Sequence, residues 1–496
     1  MRRAQVVQNA LATVVQMLVV GASYFVLYRF VYQQLGIEAL GIWSSVLAVT
    51  SVSRLSQLGL GPSLSRFVAQ RLAQNDHDGV IAVLHSGQLM IGLFTGVASL
   101  AIALSAPFFL HLFVQEASLA AGLSLVPWAL LSLWINALSG VQQAGLDGAQ
   151  RMDLRSLLVT LSTLLYVGIS LMWLPHFGVL ALAYAQVIQA ATLYLGTSLL
   201  LRRRLGAVPL LPTRASKPVV KEMLAYGLSI QALAGLTMVL DAATKALLST
   251  YGGLAMVGWF EMANRLVTQI RSLLSAASQA LVPAFAHAQA VNPEEVRLMY
   301  KDSYGLFLFV CPPIFGLSVL ATPFISEVWI GHYEPLFVNS VYMLSVGMYL
   351  AMFSTPAYTA NLGLGTLAPN AWAGAFIMGV LVTLGPLLGM FWQGEGVVAA
   401  YSAGFGFGGA ALLAMWHYRY RLPLRDLLPA ENLALCAATS VATGAGLLGY
   451  YWARPGFGLY PVLAYATLAW ATLVLPVVWR HPMRPRLQRL VLRRAT

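Results

Sequence analysis

The stretch MVLDAATKALLSTYGGLAMVGWFEMANRLVTQIR, residues 238–271, holds two apolar runs joined by the turn signal Tyr251-Gly252-Gly253. With their flanking residues, 224–248 and 254–281, the runs are each long enough to cross a bilayer. Five charges interrupt them: Asp241 and Lys245, then Glu261, Arg265 and Arg271. A charge at bilayer depth costs about 3 kcal/mol or more, so residues of this kind are kept for a partner or a task.

The rest of the chain has the same texture. It has 496 residues, of which 59% are hydrophobic and only 9% charged, and a mean hydropathy of +0.74. A soluble protein carries about a quarter charged residues. Further apolar windows lie near 11–31, 40–60, 80–105, 119–143, 156–175, 178–200, 303–326, 338–360, 369–392, 396–416, 432–452 and 457–479. The predicted fold class is therefore an all-α polytopic membrane protein of about 14 transmembrane helices. The amino-terminal apolar body is too long for a signal-peptide core and reads as a retained first span. Cys311 and Cys436 both fall inside apolar segments and define no disulfide framework.

Basic residues give the direction. With a cytoplasmic amino terminus, 23 of the 29 lysines and arginines fall in cytoplasmic segments, and Arg454 alone lies in an external loop. Arg29, Arg54, Lys245, Arg265 and Arg271 lie within spans. Both termini are then cytoplasmic, and the net charge of +12 is a topology signal rather than a mark of nucleic-acid binding. The tail RPRLQRLVLRRAT (484–496) can lay an apolar face on an anionic leaflet.

An internal repeat is also legible. QQLGIEALGIW (33–43) resembles TYGGLAMVGWF (250–260), with Gly36 and Gly253, and likewise Gly41 and Gly258, 217 residues apart. The same offset carries Arg54 onto Arg271, and Arg29 falls within one residue of Lys245. Repeated halves with a midplane site between them are common in transporters. The layout divides into a first six-helix lobe (1–205), a cytoplasmic linker (206–220), a second six-helix lobe (221–418), and helices 13 and 14 with a basic cytoplasmic tail (419–496).

The candidate site is a cationic cavity lined by Arg29, Arg54, Lys245, Arg265 and Arg271. Asp241 and Glu261 each precede a base by four residues, one helical turn, in the better orientation for an ion pair. They are either self-neutralising partners or cavity acids with a coupling role. Five bases against two acids leave a positive surplus that calls for an anionic visitor. Arginine at four of the five positions suits phosphate oxygens, which its planar fork binds in pairs. Tyr24 and Tyr28, beside Arg29, are either sugar-stacking rings or packing. The glycine run SAGFGFGGAALLA (402–414) is either a close-packing face or a lipid groove. Pro127, Pro312, Pro313 and Pro356 mark bends within spans. Neither metal-ligand spacing nor a Walker A sequence is present, so the reading includes no metal, no cofactor and no catalytic residue.

LGIEALGIWSSVLAVTSVSRLSQLGLGPSLSRFVAQRLAQND (35–76) and ALVPAFAHAQAVNPEEVRLMYKDSYGLFLFVCPPIFGLSVLATPFISEVWIG (280–331) resemble segments of bacterial polysaccharide exporters of the Wzx type. These belong to the multidrug/oligosaccharidyl-lipid/polysaccharide (MOP) superfamily. The resemblance implies a flippase of the bacterial cytoplasmic membrane. Its substrate would be an undecaprenyl-diphosphate-linked oligosaccharide, moved by alternating access of two six-helix lobes. Membrane lipids, a polysaccharide polymerase and assembly proteins would be its partners. A lipid II flippase is the alternative within the superfamily. A membrane-embedded polysaccharide polymerase or ligase is the alternative from another class, and the short external loops speak against it.

Overall fold

The computed structural model describes residues 3–51, 60–114, 116–205, 217–279, 281–291, 293–423, 430–454, 456 and 458–485. Among these the chain is helical, with no strand. In chain order the helices are α1 (Arg3–Leu35), α2 (Ile37–Ser51), α3 (Leu60–Ala73), α4 (His77–Phe109), α5 (Glu116–Gly148), α6 (Met152–Phe177), α7 (Leu180–Leu205) and α8 (Lys217–Gln279). The second half contains α9 (Leu281–Val291), α10 (Pro293–Trp329), α11 (Pro335–Met352), α12 (Thr355–Gly363), α13 (Ala368–Arg419), α14 (Ala430–Ala453) and α15 (Leu459–Arg480).

Nine of the described helices are long and apolar enough to cross a membrane. Two helices are double. The 63 residues of α8 break at Gly253, with φ 72° and ψ 179°, and the 52 residues of α13 break at Trp392 and Gln393. A straight helix of 52 residues would run about 78 Å, more than twice the hydrocarbon core of a bilayer. Each break therefore divides its helix into two arms; the expected spans 224–248, 369–392 and 396–416 lie on those arms, and 254–281 does so as far as Gln279. The remaining expected spans lie on α1, α2, α4 to α7, α10, α11, α14 and α15, except that 338–360 runs past the end of α11 into α12, and that 52–59 of the second span and 457 of the last are outside the described residues. The architecture is an all-α polytopic membrane fold.

The repeat extends through the element boundaries. Shifted by 217, the first residues of α4, α5 and α6 (77, 116 and 152) fall at 294, 333 and 369, against observed starts at 293, 335 and 368 for α10, α11 and α13. Helix α3 shifts onto 277–290, beside α9 at Leu281–Val291. One departure is clear: the single helix α5 corresponds to two pieces, α11 and α12.

By packing, the chain forms two compact units, residues 1–261 and 262–496. In the first, Leu64, Val68, Val83, Leu84, Val141 and Leu201 knit α3, α4, α5 and α7 around one apolar core. In the second, Phe285, Val296, Tyr300, Ala357 and Trp416 join α9, α10, α12 and the end of α13. Leu320, Leu435, Ala466 and Trp470 fasten the α14–α15 pair to α10. The glycine run packs closely, with Gly404 and Gly408 against Ile377 and Gly409 against the backbone of Ala351. Cys311 and Cys436 are both free thiols.

Candidate functional site

The first unit closes around a cluster of polar side chains at the hairpin of α1 and α2 and the two arms of α8. Two glycines make the turns. Gly36 has φ 81° and Gly253 φ 72°, backbone that an L side chain rarely adopts. Two more allow contact. A methyl group at Gly41 would overlap the carbonyl of Leu254, and one at Gly258 would overlap the carbonyl of Ile37. Residues 37 and 41 shift by 217 onto 254 and 258. Each repeat thus meets the other through the same two positions, the signature of a two-fold contact.

Polar residues follow the same symmetry. Tyr28 and Ser44 lie eight residues before and after Gly36, and Lys245 and Glu261 lie eight residues before and after Gly253. Ser44 Oγ donates to Glu261 Oε2 at 2.9 Å, so these two register mates touch each other. Tyr28 Oη donates to the other carboxylate oxygen at 3.1 Å. Lys245 Nζ lies 3.3 Å from Glu261 Oε2, 3.2 Å from Asp241 Oδ2 and 3.5 Å from the Ser44 carbonyl oxygen. Only 7% of the Lys245 side chain is exposed, against 17% for Glu261 and 41% for Asp241. The ammonium is therefore buried between two carboxylates and a carbonyl, which is how a buried charge becomes tolerable.

The remaining candidates distribute as follows. Tyr28 is buried, and Tyr24 packs edge-on against it at 6.0 Å and against Tyr166 at 6.2 Å. Arg29, one residue beyond Tyr28 and so about 100° around the helix, is exposed. Arg54 lies outside the described residues. Arg265 is half-buried on the second arm of α8.

Arg271, also half-buried, belongs to the second unit. Its guanidinium sits 5.7 Å from the ring centroid of Phe405, and Nη1 points at Met348 Sδ at 3.5 Å. Among the described residues no carboxylate lies within 4 Å of it. An aromatic face and a thioether tolerate a cation without neutralising it. The arrangement leaves an arginine fork available to an anion.

Reading charges at helical spacing finds the Asp241–Lys245 pair but misses the contact from Lys245 to Glu261, because the break at Gly253 lies between them. The offset of 217, applied to Tyr28 and Ser44, is the signal that would have found the rest.

The polysaccharide biosynthesis protein family matches residues 8–335 of the chain. No curated protein sequence matches it. Among solved structures, the fold is similar to an inward-facing multidrug resistance MATE family transporter of the MOP superfamily. That pair has 16% identity over 83% of this chain and 98% of that one, with a TM-score of 0.71. Lipid II flippase MurJ in an inward closed conformation is similar at 10% identity over 95% and 98%, with a TM-score of 0.72. A mutant of the Vibrio cholerae MATE transporter VcmN is similar at 14% identity over 86% and 98%, with a TM-score of 0.62. The chain belongs to the polysaccharide biosynthesis protein family, and its fold is the one seen in the MATE and MurJ structures.

Proposed function

We propose that the protein is a flippase that moves an undecaprenyl-diphosphate-linked oligosaccharide from the inner to the outer leaflet of the bacterial cytoplasmic membrane. Both termini are cytoplasmic in this reading, and the two six-helix repeats act as lobes in alternating access. The observation that carries it is Arg271. A half-buried guanidinium on a membrane-spanning arm, seated on Phe405 and Met348 with no acid beside it among the described residues, is an expensive feature unless an anion visits it. A diphosphate offers paired oxygens to such a fork. Arg29, Arg54 and Arg265, the other arginines read within spans, are assigned the same class of partner, each to be tested by its own alanine variant. Support for a glycan as cargo comes from the family match.

Arg271→Ala tests the assignment in cells whose surface polysaccharide depends on this protein. Charge-assisted hydrogen bonds contribute about 1.5–3 kcal/mol each, so export should fall about 10- to 100-fold with the protein still present in the membrane. Arg271→Lys should retain part of it, since charge survives and the fork is lost. Wild-type export in Arg271→Ala would remove Arg271 from the site.

A further inference from the structure

We propose that Lys245 is the key of a latch that closes the outer end of the first unit, and that its release opens that end for the departing head group. The idea rests on the functional reading and orientation above, and it assigns Lys245 a task other than holding substrate.

Four observations converge on it. On the proposed orientation the turns at Gly36 and Gly253 both face outside, so the α1–α2 hairpin and the α8 hairpin meet at the outer surface. Their backbones touch directly at Gly41 against Leu254 and Gly258 against Ile37, which leaves no room for a glycan or a diphosphate to pass between them. About 12 Å deeper, eight residues at 1.5 Å each, the polar cluster spans the same two hairpins. Lys245 there reaches Glu261 and Asp241 on its own hairpin and the Ser44 carbonyl on the other, while Tyr28 and Ser44 reach across to Glu261.

The chemistry of these contacts suits reversible closure. Apolar packing at the same place would gain little from water exclusion inside a membrane, and its strength could not respond to a charge. Hydrogen bonds to a buried carboxylate respond to both charge and water. Lys245 holds the Glu261 carboxylate where it meets Tyr28 and Ser44; without it, Glu261 has reason to leave and the two hairpins lose their polar links. The two-fold arrangement places all these links near one axis, so they break together rather than one by one. Asp241, whose side chain is 41% exposed, holds the ammonium from the more open side.

The test reads opening rather than transport. In a background with Cys311 and Cys436 replaced by alanine, a cysteine is placed at Val257, fully buried one turn before Glu261, and in a separate protein at the exposed Glu38. Intact cells are treated with a membrane-impermeant maleimide. The Val257 cysteine should label slowly in the parent and about tenfold faster with Lys245→Ala, since each lost charged hydrogen bond shifts such an equilibrium by about that factor or more. Tyr28→Phe and Ser44→Ala each remove one donor to the Glu261 carboxylate without removing a charge and should each raise the rate about tenfold, which keeps the test valid should Lys245→Ala fail to fold. The Glu38 cysteine should label at one rate throughout. Equal Val257 labelling in parent, Tyr28→Phe and Ser44→Ala would overturn the latch. Latch-dependent labelling in a protein that moves no lipid-linked sugar would leave the latch standing and remove the flippase reading; unchanged labelling together with loss of export in Arg271→Ala would do the reverse.

Discussion

Lys245 has two carboxylates within 3.3 Å, and they are not equivalent. Glu261 is the better shielded and has two further donors, Tyr28 and Ser44, whereas the Asp241 side chain is 41% exposed. The more enclosed Glu261, with its extra donors, makes the stronger of the two pairs. Removing Asp241 therefore leaves the ammonium paired, while removing Lys245 takes the cation from two acids at once. Folded yield after detergent extraction should fall little in Asp241→Ala and heavily in Lys245→Ala, and the triple change Lys245→Ala, Asp241→Asn, Glu261→Gln should recover it. A double-mutant cycle should give Lys245–Glu261 a coupling of about 1–3 kcal/mol, larger than that of Lys245–Asp241. The reverse ranking would mean that the short-range pair written in DAATK is the structural one. The sequence alone ranks them that way, because charges one turn apart are visible and a carboxylate 16 residues on, past a break, is not. Tyr28 is hidden for a related reason: a neutral hydroxyl is far less costly at bilayer depth than a charge and so does not advertise its partner, and Arg29 beside it draws the register off by one residue.

At the scale of elements, hydropathy windows locate the helices well, since a span of about 20 apolar residues outweighs local noise. They locate the arms of α8 and α13 as separate spans because glycine and polar residues at 252–253 and 393–395 interrupt the apolar run. Helices α9 and α12, of 11 and 9 residues, escape them: they are shorter than any spanning window and merge with their neighbours. The α14–α15 pair has a feature that no window reports. His481, buried just past the end of α15, faces Asn432 Oδ1 through Nε2 at 3.0 Å and accepts the Met483 amide through Nδ1 at 3.2 Å. The accepting Nδ1 requires a neutral ring, with the proton on Nε2 donated to Asn432. Burial holds the imidazole below its ordinary value, with Glu431 pulling weakly the other way. A depressed histidine contributes stability above its unfolded value, about 6.5, and loses it as pH falls through the folded one. Melting of the detergent-solubilised protein should therefore occur at lower temperature at about pH 5.5 than at about pH 7.5, and His481→Gln, which keeps a donor for Asn432 and cannot protonate, should reduce that difference. An identical pH slope in His481→Gln would show that another group sets it.

Outside α14 and α15, the described chain repeats itself at an offset of 217 residues, in glycines, in element starts and in contacting pairs. Two short matches at 33–43 and 250–260 are enough to see the repeat, because the turns need glycine at 36 and 253 and the crossing needs it at 41 and 258. At the register pairs Tyr28 and Lys245, and Ser44 and Glu261, the residue types differ, and similarity could not point to them. In the proposed function, positive charge inside the spans serves an anionic cargo, and Arg271 on Phe405 is its clearest expression. The most direct measurement is made in vesicles that hold the purified protein and an undecaprenyl-diphosphate-linked oligosaccharide, with outer-leaflet sugar read by an added lectin or glycosidase. Sugar placed in the inner leaflet should reach the outer one faster with the wild-type protein than in protein-free vesicles, with Arg271→Ala slower by about tenfold or more at equal incorporation. Transfer no faster than in protein-free vesicles, or wild-type speed in Arg271→Ala, would contradict the account.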